Sequence, residues 1–326
     1  VRRVSLRVVD ALVLLWLVTT LTFALVHLAP GDPATLLIAP TATASEAAEL
    51  RARLGLDAPL AVQYGHWIGA VLQGDLGASL VKSMPVARII AEAFPVSLFL
   101  GGVSLLLSFA IGIALGGWQA LRARPVGDRV ASVLATILFA APGFWLALAL
   151  VALFTSGAVW LGAPTWLRLP AFGMQAPDAG DDPALLDRWR HAILPLVVLT
   201  VPGAAGVARY ARETLRDARG ALAVQAALAR GLSRSRVERR YILRTALTPL
   251  VVLFGLTLPG IVAGSVFVEQ VFAWPGLGRA LMSAIAGRDY PVVMGLTLIY
   301  GATVIGANLL ADLALWWLDP RRRSAS

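Results

Sequence analysis

Six uncharged runs constrain this chain more than anything else in it: Ala11–Ala29, Val96–Leu121, Val130–Leu167, Ala192–Ala208, Thr245–Val268 and Tyr290–Ala311. About 20 apolar residues, rising 1.5 Å each, cross a ~30 Å hydrocarbon core. Composition agrees, with 58% of residues hydrophobic and only 14% charged, where a soluble domain carries about 25% charge to face water. The sequence reads as a multi-span membrane protein. That excludes a soluble enzyme, a secreted disulfide scaffold and a nucleic-acid binder. The absence of cysteine also removes disulfides, thiolate catalysis and Cys-ligated metals. Arg2, Arg3 and Arg7 resemble the basic start of a signal peptide. The apolar core that follows has 19 residues, longer than the ~7–15 of such a segment, so a retained helix is expected.

Basic residues set the expected topology. With six helices and the N-terminus inside, 19 of the 28 Lys and Arg fall in cytoplasmic segments, ten of them in Arg209–Arg244. Acids run the other way, with 12 of 19 in the outer segments. Reading Val130–Leu167 as a hairpin would make seven helices and put the ten-arginine loop outside, against the positive-inside rule. The expectation is an all-α protein of six transmembrane helices with both termini cytoplasmic. Val130–Leu167 is then one span plus an extension along the membrane. The net charge of +9 belongs to loops lying against membrane lipid headgroups, not to a nucleic-acid partner.

Three parts are expected: residues 1–94, a membrane helix plus a long extracytoplasmic segment; residues 95–318, a five-helix transmembrane domain; and a cytoplasmic tail over 319–326. Pro30–Pro95 is long enough to hold structure of its own. A short helix is predicted over Ser45–Leu54, with Ser45 as N-cap, Glu46 and Glu49 in its first turn and Gly55 as its stop. An interfacial helix is predicted over Gln63–Leu72, anchored by Trp67. Pro142-Gly143, Pro195, Pro202-Gly203, Pro249 and Pro259-Gly260 are expected to interrupt the spans. Such breaks suit hinged helices around a translocation path.

In the long basic loop, Arg209, Arg212, Arg216 and Arg219 share one face of a continuing helix. After Gly220, Ala221–Arg230 consists almost wholly of strong helix formers. Gly231 is placed to end that helix in the left-handed conformation. Ser235-Arg-Val-Glu238 fits a capping box that starts the next helix. A short helix pinched between two glycines and joined to two spans is a natural lever.

Gln225-Ala226-Ala227 followed by Gly231, with Pro249 eighteen residues beyond the glycine, resembles the Glu-Ala-Ala loop of ABC importer permeases. The spacing to proline resembles the dipeptide/oligopeptide/nickel branch. That branch is matched also by Ala29-Pro-Gly-Asp-Pro33, Leu54-Gly-Leu-Asp57, Gly74-Asp-Leu-Gly77 with Ser79, Trp274-Pro-Gly-Leu-Gly-Arg279 and Arg288-Asp-Tyr-Pro-Val292. The acid that names the loop is Gln225 here. The resemblance implies a type I importer permease (MetI-like) fold in the inner membrane, with Gln225, Ala226, Ala227, Gly231 and Pro249 forming the ATPase-coupling loop. It implies peptide transport, a second permease subunit of the same fold, two ATPase subunits that bind ATP and Mg, and an extracytoplasmic binding protein. A nickel importer of the same branch is the alternative cargo reading.

The chain itself contains no G-x-x-x-x-G-K-[ST] loop, because its one lysine, Lys82, follows Val81. It is not expected to be an enzyme or to hold a cofactor. An ion-coupled secondary transporter would instead need ionisable groups at mid-membrane. Only His27 and Asp312 lie in spans, His27 near the outer end of the first and Asp312 near the inner end of the sixth. His27, His66 and His191 show no ligand spacing, so no metal site is expected. A candidate outer gate follows the fifth run: Glu269, Phe272, Trp274, Pro275 and Gly276 put one charge beside bulky apolar anchors and a turn. There Glu269 is expected to meet a basic group on a partner.

Overall fold

The computed structural model describes residues 2–28, 43–53, 55–122, 124–177, 185–263 and 265–318. The Ala29–Pro33 motif and the tail 319–326 lie outside them. Among the described residues the chain is helical, with a single isolated β-bridge between Ala78 and Pro85. In order run α1 (Arg2–Leu28), α2 (Ala44–Arg53), α3 (Leu60–Leu72), α4 (Val86–Leu121), α5 (Pro125–Ala140), α6 (Gly143–Trp160) and α7 (Leu185–Gly220). Then come α8 (Leu222–Ala229), α9 (Arg234–Thr257), α10 (Gly260–Ala263), α11 (Val266–Val271), α12 (Leu277–Ala286) and α13 (Tyr290–Leu318). Six are long and apolar enough to cross a membrane: α1 from Val9, α4, α6, α7, α9, and α13 as far as Ala311. Leu12, Leu14, Trp16, Leu21 and Leu25 of α1 stay exposed, as side chains facing lipid would.

The chain divides into two units, Val1–Val96 with Pro275–Ile305, and Ser97–Trp274 with Gly306–Ser326. In the second unit, small residues let helices approach closely. The Ser108 hydroxyl donates to the Thr200 carbonyl at 3.1 Å. A Cβ added at Gly112 would lie 2.8 Å from the Ala204 carbonyl oxygen, and one at Gly116 2.5 Å from that of Ala208. Residue numbers rise together along this seam, so α4 and α7 run parallel. By contrast α5 runs antiparallel to α7: Asp128 meets Arg212 and Arg216, while Phe139 lies against Gly206 and beneath Arg209. Parallel α4 and α7 require an odd number of crossings between them. Residues 125–160 therefore cross once, and the hairpin is rejected.

Prolines divide into two kinds. α5 ends before Pro142, and Pro142 caps α6; α9 ends at Thr257, and α10 restarts at Gly260. Pro195 and Pro202 sit inside α7 and Pro249 inside α9. These three expected interruptions are absorbed. π-helical turns lie elsewhere, at Leu153–Gly157 in α6 and Glu238–Ile242 in α9.

Two expected caps shift. Thr43, not Ser45, begins α2. The Thr43 hydroxyl accepts from Glu46 N at 3.4 Å while the Glu46 carboxylate accepts from Thr43 N at 2.7 Å. This reciprocal box holds the Glu46 carboxyl below its usual range, chiefly through the backbone bond. The Ser235–Glu238 box does not form either. Ser233 has the extended backbone of an N-cap, and the helix starts at Arg234. Gly55 does stop α2, at φ +68°.

In the first unit, α1 and α3 share an aromatic cluster. The His27 ring stacks on Phe23 at 4.0 Å and lies 5.1 Å from Tyr290; Thr20 and Tyr64 hydroxyls are 2.5 Å apart.

Candidate functional site

α8 is closed at its C-terminus by a Schellman motif. Gly231, at φ +79°, donates its N–H to the Leu228 carbonyl at 2.9 Å, and Leu232 N–H reaches Ala227 O at 3.3 Å. Between the glycines, one face of the helix is buried. Val224 and Ala227 pack with Ala120 of α4, Leu215 and Ala218 of α7, and Val237, Ile242 and Ala246 of α9. Leu232 packs against the same cluster. The short helix is thereby fastened to three spans at once. Leu222 on the opposite face is 81% exposed, and Leu228 on the flank is 44% exposed.

The expected loop residues divide between these faces. Ala227 is enclosed, whereas Gln225 and Ala226 are exposed. The Gln225 amide folds back to donate to the Gly220 carbonyl at 3.2 Å. Pro249 is half-buried within α9 and stands outside the cluster.

The arginine face of α7 turns out to be a packing face. Arg212 grips both oxygens of Asp128, Nε to Oδ1 and Nη2 to Oδ2, each at 2.7 Å. Arg216 adds a third bond at 2.7 Å, and Arg219 donates to Ala120 O at 3.3 Å. Bidentate pairing of this kind is the strong form of an ion pair. The hydrogen bond from Arg212 above all holds the Asp128 carboxyl down to about 2. Asp128 was not singled out from the sequence. The signal available was an acid in the first turn of a helix opening on Pro125.

At the other candidate site, α11 also ends in a Schellman motif, but with Ala273 at φ +56° where glycine is usual. Trp274 N–H donates to Glu269 O at 2.9 Å, closing it. A left-handed alanine costs about 1 kcal/mol, so this turn is held by its surroundings. Phe272 is fully buried, and its carbonyl accepts from Gly173 N at 2.8 Å. The Trp274 ring lies parallel to Phe99 at 6.2 Å, and Phe99 meets Trp189 edge-on at 5.7 Å. Glu269 is completely enclosed, its Oε1 accepting from Ser97 at 2.7 Å and from Ser265 at 2.5 Å. The expectation of a charge offered outward is therefore corrected: in this conformation the carboxylate faces its own chain. Pro275 is exposed, and Gly276 caps α12 in an extended conformation.

A third arrangement, in the first unit, joins two of the family-like motifs. Asp289 is buried and accepts from Leu80 N at 3.0 Å, Val81 N at 3.4 Å and the Ser79 hydroxyl. Ser79 in turn accepts from Lys82 N at 2.8 Å. One carboxylate thus shapes the whole 79–82 turn.

Six apolar spans, with a glycine-closed helix fastened to three of them, define a multi-span membrane subunit. The chain belongs to the binding-protein-dependent transport system inner membrane component family, whose model matches residues 108–324. The N-terminal model for membrane components of the same systems matches residues 1–101. It is 35% identical over 305 residues to the oligopeptide transport system permease protein AppB of Bacillus subtilis, covering 93% of each chain. It is 35% identical over 320 residues to the dipeptide transport system permease protein DppB of Escherichia coli K12, covering 94% of each. The glutathione transport system permease protein GsiC of Salmonella typhi is 36% identical over 309 residues, covering 95% of this chain and 94% of its own.

Among solved structures, the inward-facing MetNI methionine ABC transporter aligns with a TM-score of 0.53 at 20% identity, covering 72% of this chain and 97% of that one. An amino acid ABC transporter aligns at 0.51 and 16% identity, covering 70% and 92%. The fold is that of ABC permease subunits. The protein is a multi-pass inner-membrane component that works with ATPase and binding-protein partners and is not itself the ATPase.

Proposed function

We propose that this chain pairs with a second permease subunit of the same fold to form the path for di- and oligopeptides delivered by an extracytoplasmic binding protein. ATP and Mg bind two ATPase subunits docked under α8. Both termini and α8 lie in the cytoplasm, as the arginine distribution requires. The observation that carries the coupling role is the two-faced α8. Val224 and Ala227 anchor it to α4, α7 and α9, while Leu222 and Leu228 remain uncovered for a partner. A partner that pulls on this helix moves three spans together. At the outer end, Glu269, Phe272, Trp274, Pro275 and Gly276 form a gate segment, and Glu269 acts as an internal latch on Ser97 and Ser265. Peptide cargo is supported by the relatives named as oligopeptide and dipeptide permeases.

The test is uptake into proteoliposomes holding both permeases and the ATPases, with binding protein outside and ATP inside. Accumulation of a radiolabelled dipeptide that stops without ATP is the expected result. Accumulation of nickel but not peptide would replace the cargo, and ATP-independent uptake would overturn the mechanism.

A further inference from the structure

A cleft of about 620 Å³ opens where the first turns of α5 meet the arginine face of α7. Nothing in the coupling helix or the outer segment uses it. Its polar end holds Arg129, Arg212 and Arg216, and its apolar end holds Val133 and Ile137. Arg212 and Arg216 already share Asp128, and Arg212 also pairs with Glu213. Arg129 is exposed, and its side chain makes no hydrogen bond or ion pair with any described residue. Three guanidiniums and one carboxylate, Asp128, line the cleft; Arg212 draws a second carboxylate, Glu213, from outside it, and Arg129 is the cation that neither carboxylate engages. The ordering of side chains along α5 matters as much as the charge. From Arg129 to Ile137 the helix rises about 12 Å, and beyond the cation the Ser132 and Thr136 hydroxyls alternate with Val133 and Ile137, apolar side chains that are 53% and 59% exposed. A soluble anion would use the cation and the hydroxyls and leave Val133 and Ile137 without a role.

We propose that this cleft binds one anionic phospholipid, with the phosphodiester on Arg129 and Arg216 and an acyl chain along Val133 and Ile137. A single phosphodiester carries one negative charge for Arg129 to pair with. Basic pockets between helices at the membrane surface suit such headgroups. The bound lipid would pack against α5 where it is held to α7, the helix that leads directly into α8.

The assembled complex, purified and placed in nanodiscs of phosphatidylglycerol and phosphatidylcholine, is released into detergent and examined by native mass spectrometry. One phosphatidylglycerol per copy of this chain should survive, and phosphatidylcholine should not. Arg129→Gln should retain it about fivefold less, because Arg129 supports no other contact and the fold is left intact. Val133→Ser with Ile137→Ser should also weaken retention, which a bare phosphate site would not show. Equal retention by Arg129→Gln, or equal retention of phosphatidylcholine, would overturn the proposal. So would saturable binding of inorganic phosphate in detergent together with no lipid preference, since that assigns the cleft to a soluble anion.

Discussion

Replacing Gly231 isolates the backbone at the end of α8 from everything around it. Its φ is +79°, and a Cβ added there would meet no atom within 4 Å. Any cost of substitution is therefore torsional, not steric crowding. Alanine in the left-handed region costs about 1 kcal/mol and valine about 2, while asparagine costs less because its side chain tolerates that region. If the helix end gives way, the bonds from Gly231 and Leu232 to Leu228 and Ala227 are lost and Leu232 leaves the cluster. One to two kcal/mol corresponds to a factor of about 5–30 in population. ATPase association should thus fall little in Gly231→Asn, about fivefold in Gly231→Ala and about thirtyfold in Gly231→Val. Titrated pull-down of the ATPase subunits on detergent-solubilised permease would measure this, with membrane-fraction yield as the control for insertion. ATP-driven uptake in proteoliposomes should follow the same order. Wild-type association by the valine variant would refute the coupling role. Equal loss in all three variants would refute the torsional argument.

Glu269→Gln keeps an acceptor for Ser97 and Ser265, so it should preserve expression while raising basal ATPase activity if charge holds the latch; unchanged basal activity and uptake would remove Glu269 from the gate. Asp128→Asn should lower thermal stability in detergent by about 2 kcal/mol, because it weakens the grip on Arg212 and Arg216. The Asp128 carboxyl is depressed to about 2, so its contribution is complete above the ordinary carboxylate range near pH 4 and disappears as pH falls through 2. The wild-type chain should lose its advantage over Asp128→Asn across that window, and a constant difference would refute the assignment. Because the sequence has no cysteine, Lys82→Cys should react with an impermeant thiol reagent on spheroplasts and Ala229→Cys only after lysis. Both positions are exposed in the fold, so labelling in the opposite sense would invert the topology.

Length and hydropathy are local properties, and they made the six spans legible without any tertiary information. Arginine counts chose six crossings over seven, and the parallel course of α4 and α7 agrees. The end of α8 was equally legible, since a left-handed residue after a run of helix formers is met most cheaply by glycine. The shared face of Arg209, Arg212, Arg216 and Arg219 followed from helical periodicity, but what it faces did not. Caps were read two residues out of place at Ser45 and Ser235: the reciprocal Thr43–Glu46 pair starts one helix, and the other starts from the extended backbone of Ser233.

What only the tertiary structure decided is which distant groups meet. Glu269 looked like a surface charge because its neighbours in sequence are apolar; Ser97, 172 residues earlier, encloses it. Asp128 finds Arg212 from 84 residues away, and Asp289 reaches Ser79 across 210. Pro195, Pro202 and Pro249 looked like breaks, yet each is carried inside a packed helix. Periodicity and chirality act over a few residues and can be read along the chain. A buried carboxylate needs donors from whatever segment packing brings beside it, and that pairing is fixed only when the helices have closed on one another.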